Sequence, residues 1–148
     1  MAGITSSQTI LIVDDSDDDF EILLRAFKKQ NNLQNPIFRC ENGQKALDYL
    51  FYKGNFEKAD HPYPGIILLD LNMPGIDGKQ VLEKIKQHEE LREIPVVIFT
   101  TSNDEKDIEH CYQLGANTYI QKPVDLQRFM EAIERLKEYW FEIALLPK

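Results

Sequence analysis

The sequence is poor in the features that define disulfide-rich, zinc-binding and membrane proteins. Its two cysteines, Cys40 and Cys111, lie far apart and form no CxxC or Cys/His ligand pattern, which indicates two reduced, buried thiols. No apolar run approaches the roughly 18 residues of a membrane helix. The first residues also lack the basic and apolar regions of a signal peptide. We therefore expect no membrane association and predict a cytoplasmic location.

Basic residues are also in deficit. The chain has 25 acidic and 17 basic residues, and its formal net charge is −8. Because binding to a phosphate backbone requires a basic surface, this balance argues against nucleic acid as a partner. The 148 residues, 43% of them apolar and 28% charged, are typical of one folded domain, which we assign to residues 1–148.

Short apolar segments alternate with helical patterns along the whole chain. Strands are predicted at 9–13, 36–40, 66–69, 95–99 and 117–120, and apolar residues at a period near 3.6 follow each of them. Helical connections of this length favour parallel strands with helices on both faces. The predicted fold is α/β, a doubly wound five-stranded parallel sheet in the flavodoxin-like order 2-1-3-4-5. We expect the last helix to extend from about 125 to 146.

Acidic residues follow two strands that this order makes neighbours. Asp14 and Asp15 follow the first strand and Asp70 follows the third, at the sheet edge where such folds bind ligands. Carboxylates that converge repel one another unless a cation lies among them, and oxygen ligands suit Mg²⁺. These residues predict a magnesium-assisted phosphoryl site. The acids at 17–19 are interpreted instead as first-turn helix residues, where the macrodipole favours negative charge.

Polar residues also end the fourth and fifth strands. Thr100 places a hydroxyl at the same sheet edge, and Lys122 places an ammonium there. A phosphoryl group on Asp70 would need such partners, because Mg²⁺ and Lys122 offset its charge and Thr100 can donate a hydrogen bond. The coincidence of these residue types at separate strand ends supports the hypothesis more than any one of them does.

In this combination of motifs the sequence resembles a response-regulator receiver domain of two-component signalling. The resemblance covers about residues 8–139 and rests on the Asp14-Asp15 pair, the segment 69–78, Thr100 and Lys122-Pro123. It implies that a histidine kinase or a phosphotransfer protein transfers a phosphoryl group to Asp70. It also implies that Asp15 binds Mg²⁺ directly, Asp14 through water and Asn72 through its backbone carbonyl.

The same resemblance implies how the signal is passed on. Lys122 would pair with a phosphoryl oxygen, Thr100 would move toward the phosphoryl group, and Tyr119 would turn inward as the aromatic switch. The chain is then not an enzyme, apart from Mg-dependent self-phosphorylation from a donor and self-dephosphorylation. With 25 residues after Pro123 and an acidic composition, no DNA-binding output domain is expected.

The C-terminal segment carries more apolar residues than one helix face can bury. Those that fall partly outside the main apolar stripe are Tyr139, Phe141, Ile143, Leu145 and Leu146. Because exposed apolar patches mark partner surfaces, we predict a homodimer through this helix; the alternative is a tail folded onto its own domain. Together with the long loop at 52–65, this tail resembles small single-domain regulators that pair with bacterial phytochrome-type histidine kinases.

Two other classes fit the acids after the first strand less well. A phosphatase of the haloacid-dehalogenase type uses a DxDx(T/V) motif, but Asp19 stands where Thr or Val belongs, and Asp70 would remain unexplained. A calcium-binding EF-hand loop starting at Asp15 would have Phe20 in place of its glycine and Ala26 in place of its final glutamate.

Overall fold

Five short strands form one parallel sheet in the order β2-β1-β3-β4-β5, as the sequence predicts. The computed structural model describes residues 4, 5, 7–28 and 34–143. The strands are β1 (Ile10–Val13), β2 (Ile37–Cys40), β3 (Ile66–Leu69), β4 (Val96–Thr100) and β5 (Thr118–Gln121). The helices are α1 (Asp17–Lys28), α2 (Gly43–Phe51), α3 (Gly78–Gln87), α4 (Glu105–Leu114) and α5 (Leu126–Glu138). Within these described ranges, none of the helices has the length and apolar character needed to cross a membrane.

Side chains of the central strands alternate between two buried layers. In β1, Leu11 and Val13 point into a core formed with α2, α3 and α4, whereas Ile10 and Ile12 point into a core formed with α1 and α5. Strands β1, β3 and β4 are buried along their whole length, because helices cover both faces of the sheet. This explains why these strands are continuous apolar runs in the sequence.

The register of the sheet aligns the carboxyl ends of its strands. Val13 lies beside Cys40 on one side and Leu69 on the other, and Thr100 lies beside Gln121. The residues that follow these pairs therefore leave the sheet at one edge. At the end of β1 the chain turns at once, and the Ser16 hydroxyl caps α1 by accepting a hydrogen bond from the Asp19 amide.

The last helix, predicted over about 125–146, changes its geometry near the end of the described residues. Regular α geometry covers Leu126–Glu138, and a π-helical turn follows at Tyr139–Ile143. Residues 144–148, and with them Leu145 and Leu146, lie outside the described part of the chain. Tyr139 is 51% exposed, whereas Phe141 is partly buried against the core beneath α1 and α5. For Phe141 the contact is thus with its own domain.

Aromatic rings pin the loop that connects α2 to β3. The His61 ring stacks on Tyr49 with ring centroids 3.9 Å apart, and the Phe56 ring meets Tyr49 edge-on at 5.3 Å. Phe38 of β2 also stacks on Tyr49, with ring centroids 4.5 Å apart. The loop at 52–65 is therefore packed against α2 and β2 by side chains that the sequence alone does not pair.

Close backbone packing shapes the loop between β3 and α3. The Gly78 amide donates to the Leu71 carbonyl at 2.9 Å, and a Cβ atom on Gly78 would lie 2.1 Å from the Asp70 carbonyl oxygen. On the other side of the loop, a Cβ atom on Gly43 would lie 2.3 Å from the Ile76 carbonyl oxygen. Because both positions lack a side chain, the loop can fold tightly and fix the backbone of Asp70.

We predict that Gly78→Ala destabilises the fold by about 2–3 kcal/mol, because the added methyl group forces the Asp70 backbone to move. The matched control is Gly75→Ala in the same loop, where φ is +77° and no atom lies within 4 Å of the added Cβ. Backbone strain alone should cost about 1 kcal/mol there. Urea unfolding of the three proteins measures both losses, and equal losses would contradict the crowding at Gly78.

Candidate functional site

Three carboxylates converge where β1 and β3 end. The Asp14 amide donates to the Cys40 carbonyl at 3.1 Å and the Asp70 amide to the Val13 carbonyl at 2.9 Å, so sheet pairing continues one residue beyond each strand. As a result, carboxylate oxygens of Asp14, Asp15 and Asp70 all lie within 4.8 Å of one another. Asp14 and Asp70 are buried and Asp15 is exposed. The structure thus brings together the acids that the sequence predicts to meet.

Lys122 reaches this cluster from the end of β5. Its Nζ donates to Asp14 Oδ2 at 2.7 Å, to Asp19 Oδ2 at 2.8 Å and to Asp70 Oδ2 at 3.3 Å. The lysine is only 4% exposed, and its backbone amide donates to the Thr100 carbonyl at 2.6 Å. All three protons of the ammonium are therefore directed at carboxylates, as burial of a charge requires.

Burial and the neighbouring opposite charges shift the pKa values of Lys122 and Asp14 in opposite directions. Burial lowers the pKa of Lys122, but the carboxylates of Asp14, Asp19 and Asp70 outweigh it and the pKa is raised, so the ammonium stays protonated. For Asp14, burial raises the pKa by more than Lys122 lowers it. One ammonium faces four carboxylates when Asp15 is included. The cluster therefore retains an excess of negative charge.

The donor set fits a hard divalent cation. Asp14 Oδ1 accepts from the Ser16 amide at 2.9 Å and Asp70 Oδ1 accepts from the Leu71 amide at 2.8 Å, which fixes both carboxylates. Asn72 is exposed two residues after Asp70. Convergent carboxylate oxygens with an excess of negative charge and an open side suit Mg²⁺, Mn²⁺ or Ca²⁺ rather than soft metals. Asp14, Asp15 and Asp70 could hold such an ion.

The two predicted switch residues meet at the loop between β4 and α4. Thr100 is fully buried, and its Oγ1 accepts from the Ser102 amide at 3.5 Å. The Tyr119 hydroxyl donates to the Ser102 carbonyl at 2.9 Å from the neighbouring strand β5. Thr100 and Tyr119 therefore both contact Ser102 in this loop, and Tyr119 is only partly exposed.

Asp19 has a contact that the sequence does not predict. It lies in the first turn of α1, as expected, but its carboxylate also binds Lys122, a residue 103 positions away. The sequence signal that could have indicated this contact is the run of three acids at 17–19. One acid is sufficient to complement a helix dipole, so the others are available for a further role. Which of the three faces the sheet edge depends on how α1 packs. Asp17 instead forms an ion pair with Arg39 at 2.7 Å.

Comparison with known proteins assigns the chain to a family. The model of the response regulator receiver domain matches residues 10–134, and the chain therefore belongs to this family of signalling proteins. It is 35% identical over 140 residues to Response regulator Rcp1 of Synechocystis sp., an alignment that covers 95% of this chain and 93% of the relative. The family resemblance inferred from the sequence is confirmed.

Solved structures of related proteins superpose on this chain over almost its full length. The phosphorylated cyanobacterial phytochrome response regulator RcpA superposes with a TM-score of 0.89 at 34% identity, covering 96% of this chain and 99% of that chain. The Mn²⁺-bound form of Rcp1 gives a TM-score of 0.88 at 34% identity, with coverage of 95% and 99%. Both have the five-stranded architecture described above, which confirms the predicted fold class.

We predict that Asp14→Asn stabilises the metal-free protein at pH 7. Since burial raises the pKa of Asp14, the folded chain holds a proton there at a pH where the unfolded chain has lost it. The stability of the wild type should therefore fall as pH rises from the ordinary carboxyl pKa through the raised value. The uncharged variant removes that cost, while Lys122 keeps Asp19 and Asp70 as partners.

Chemical unfolding in the presence of a chelator, from pH 4 to pH 8, measures this effect. Asp18→Asn is the control, because it removes one negative charge from an exposed position in the first turn of α1. Its pH dependence should follow the wild type. An Asp14→Asn protein that is less stable than the wild type at pH 7 would show that the ion pair with Lys122 outweighs the burial of the charge.

Proposed function

We propose that this protein is a phosphoacceptor response regulator in which Asp70 receives a phosphoryl group from a histidine kinase or a phosphotransfer protein. The observation that carries the proposal is the position of the Asp70 carboxylate. It is 8% exposed, lies at the open edge of the sheet beside Asp14 and Asp15, and has Oδ2 3.3 Å from the Lys122 ammonium. The membership of a signalling family supports the same conclusion.

The chemistry needs a nucleophile and charge neutralisation rather than a general base. A carboxylate oxygen of Asp70 attacks phosphorus, the new P–O bond forms, and the bond from phosphorus to the donor breaks. The electron pair of that bond leaves with the donor, which takes up a proton from solvent when it is an imidazole. Lys122, already beside Asp70, offsets the charge of the transferred oxygens. Attack by water later returns Asp70 to its carboxylate form and releases phosphate.

Mg²⁺ is the cation that we assign to the acidic cluster. Asp14, Asp15 and Asp70 would hold it together with the backbone carbonyl of Asn72, and bound Mg²⁺ supplies positive charge to the phosphoryl oxygens. Mg²⁺ commonly uses one or two carboxylates and keeps other positions for water and phosphate, which matches one exposed and two buried acids at this edge. The Mn²⁺-bound form of Rcp1 supports a divalent ion here.

Signal output is proposed to be a change of shape. Thr100 would move toward the phosphoryl group, and Tyr119 would follow because both contact the loop at Ser102. The surface formed by α4, β5 and α5 then differs between the two states, and a partner protein can distinguish them.

The kinase partner is proposed to be of the bacterial phytochrome type. RcpA is a cyanobacterial phytochrome response regulator, and AtBRR, a bacteriophytochrome response regulator, is 37% identical to this chain with a TM-score of 0.72. The cytoplasmic location predicted from the sequence is part of this proposal. Transfer of phosphate from a phosphorylated phytochrome-type kinase, compared with a kinase of another sensor class, tests the pairing.

The homodimer through the C-terminal segment also remains a proposal. Its candidate residues are Tyr139, Phe141, Ile143, Leu145 and Leu146. The exposure of Tyr139 supports it, because a large aromatic side chain at the end of α5 is half open to solvent. Because Phe141 contacts the core of its own domain, we expect the other candidate residues to form most of the interface.

We predict that incubation with acetyl phosphate adds one phosphoryl group to the wild type, and that this requires both Mg²⁺ and Asp70. Intact-mass spectrometry measures the adduct, which should be stable in acid and labile in base. Asp70→Asn should remove it completely. The control Asp60→Asn, which removes a carboxylate from an exposed loop, should be phosphorylated like the wild type. An adduct that persists in Asp70→Asn would reopen the phosphatase alternative.

For the dimer, we predict a concentration-dependent association that is lost in the double variant Leu145→Ser, Leu146→Ser. Burial of each leucine should contribute about 1.5–3 kcal/mol, so the two substitutions together should weaken the dimer by at least about a hundredfold. Sedimentation velocity over a range of concentrations measures it. Val124→Ser, which removes an exposed apolar side chain outside the tail, is the control. If the double variant associates like the wild type, the proposed interface is wrong.

A further inference from the structure

A second polar cluster connects α3, α4 and the loop between β4 and α4. The Ser102 hydroxyl donates to Asp107 Oδ2 at 2.7 Å, and the Lys79 ammonium forms an ion pair with Asp107 Oδ1. Lys79 belongs to the first turn of α3, Asp107 to the first turn of α4, and Ser102 to the loop that leaves β4. We call Lys79, Asp107 and Ser102 the clamp.

The clamp holds both ends of the loop between β4 and α4. The Asp107 carboxylate uses one oxygen for Lys79 and the other for Ser102, so its orientation is determined from two sides. The Ser102 hydroxyl that donates to Asp107 also accepts from the amide of Asp104, the N-cap of α4, at 3.3 Å. The position of Ser102 is therefore set by side chains on α3 and α4.

The electrostatics of the pair agree with this geometry. The hydrogen bond from Lys79 and, to a smaller extent, the one from Ser102 lower the pKa of Asp107. The hydrogen bond to Asp107 raises the pKa of Lys79. Both groups are therefore charged at neutral pH. The side chains are 31% and 21% exposed, so the pair is partly screened by solvent.

The backbone carbonyl of Ser102 is what connects the clamp to the switch. It accepts the hydrogen bond of the Tyr119 hydroxyl at 2.9 Å. The Ser102 amide, in turn, donates to the Thr100 hydroxyl at 3.5 Å. A displacement of Ser102 would therefore remove the acceptor that keeps the Tyr119 ring turned toward the domain, and would change the surroundings of Thr100.

We propose that Lys79 and Asp107 are positioning residues for the switch. They hold Ser102 where its carbonyl accepts from Tyr119, and thereby favour the arrangement with Tyr119 turned inward. Because coupling between two sites is reciprocal, an arrangement that phosphorylation favours also favours phosphorylation. That second step rests on the proposed function, whereas the effect of the clamp on Tyr119 does not.

A simpler role would be a surface ion pair that ties α3 to α4. Such pairs typically contribute little to stability, and breaking one would leave Tyr119 in place. The two roles separate in a charge swap. Lys79→Asp combined with Asp107→Lys restores an ion pair between the helices, but a lysine at 107 has no acceptor for the Ser102 hydroxyl.

The first experiment follows Tyr119 directly, in an Asp70→Asn background in which phosphorylation at Asp70 cannot contribute. Fluorotyrosine labelling gives one NMR signal per tyrosine, and Tyr119→Phe identifies the signal of interest. We expect Lys79→Met, Asp107→Asn and the charge swap to shift this signal toward that of Tyr139, which is half exposed. Lys84→Met, which removes an exposed charge from the same helix, should leave it unchanged.

The second experiment measures the rate of phosphorylation by acetyl phosphate with Asp70 intact. We expect a decrease of about fivefold in Lys79→Met and in Asp107→Asn, at the lower end of typical coupling between sites. The charge swap should not restore the rate. Circular dichroism shows whether each variant is folded. If Lys79→Met does not fold, the milder change Asp107→Asn provides a second test.

Two results would overturn the inference. One is a Tyr119 signal that stays in place when Lys79 and Asp107 are changed, or that moves equally in Lys84→Met. The other is full restoration of both the signal and the rate by the charge swap, which would leave only a tie between two helices. If no variant and no wild type takes up phosphate, the proposed function fails instead, and the Tyr119 signal still decides the role of the clamp.

Discussion

The site depends on the sharing of one buried ammonium among three carboxylates. Lys122 is held by Asp14, Asp19 and Asp70 from three different elements of the fold, and among the described residues it is the basic partner of both buried carboxylates. Burial of such a group is tolerated only because each proton has an acceptor. The same arrangement leaves the cluster negatively charged, so it favours the binding of a divalent cation.

The two loops beside Asp70 are fixed by different physical means. The loop after β3 is held by backbone crowding at Gly78 and Gly43, which solvent and salt hardly affect. The loop after β4 is held by polar side chains that are partly exposed. The first is therefore a rigid support for the Asp70 carboxylate. The contacts of the second loop depend more strongly on charge and on solvent.

Much of this could be predicted because the decisive residues lie directly after strands. The apolar runs define a parallel sheet, and its order brings Asp14, Asp70 and Lys122 to one edge whatever the details of helix packing. Contacts made by helix side chains are different. Asp19 and Asp107 look like ordinary first-turn acids in the sequence, and only the rotation of α1 and α4 against the sheet decides what they meet. The apolar period of α5 also includes Leu126, which is exposed.

The distance along the chain between the members of the site has a consequence for the order of folding. Lys122 and Asp14 are 108 residues apart in sequence, and β5 is an edge strand. During synthesis, Asp14, Asp15 and Asp70 all leave the ribosome long before the lysine that compensates them. Contacts of such long range form late, since much of the chain must be ordered first. A nascent chain that ends before β5 contains the buried residues of the core formed with α2, α3 and α4. Lys122 reaches the acidic cluster only when the last strand joins the sheet.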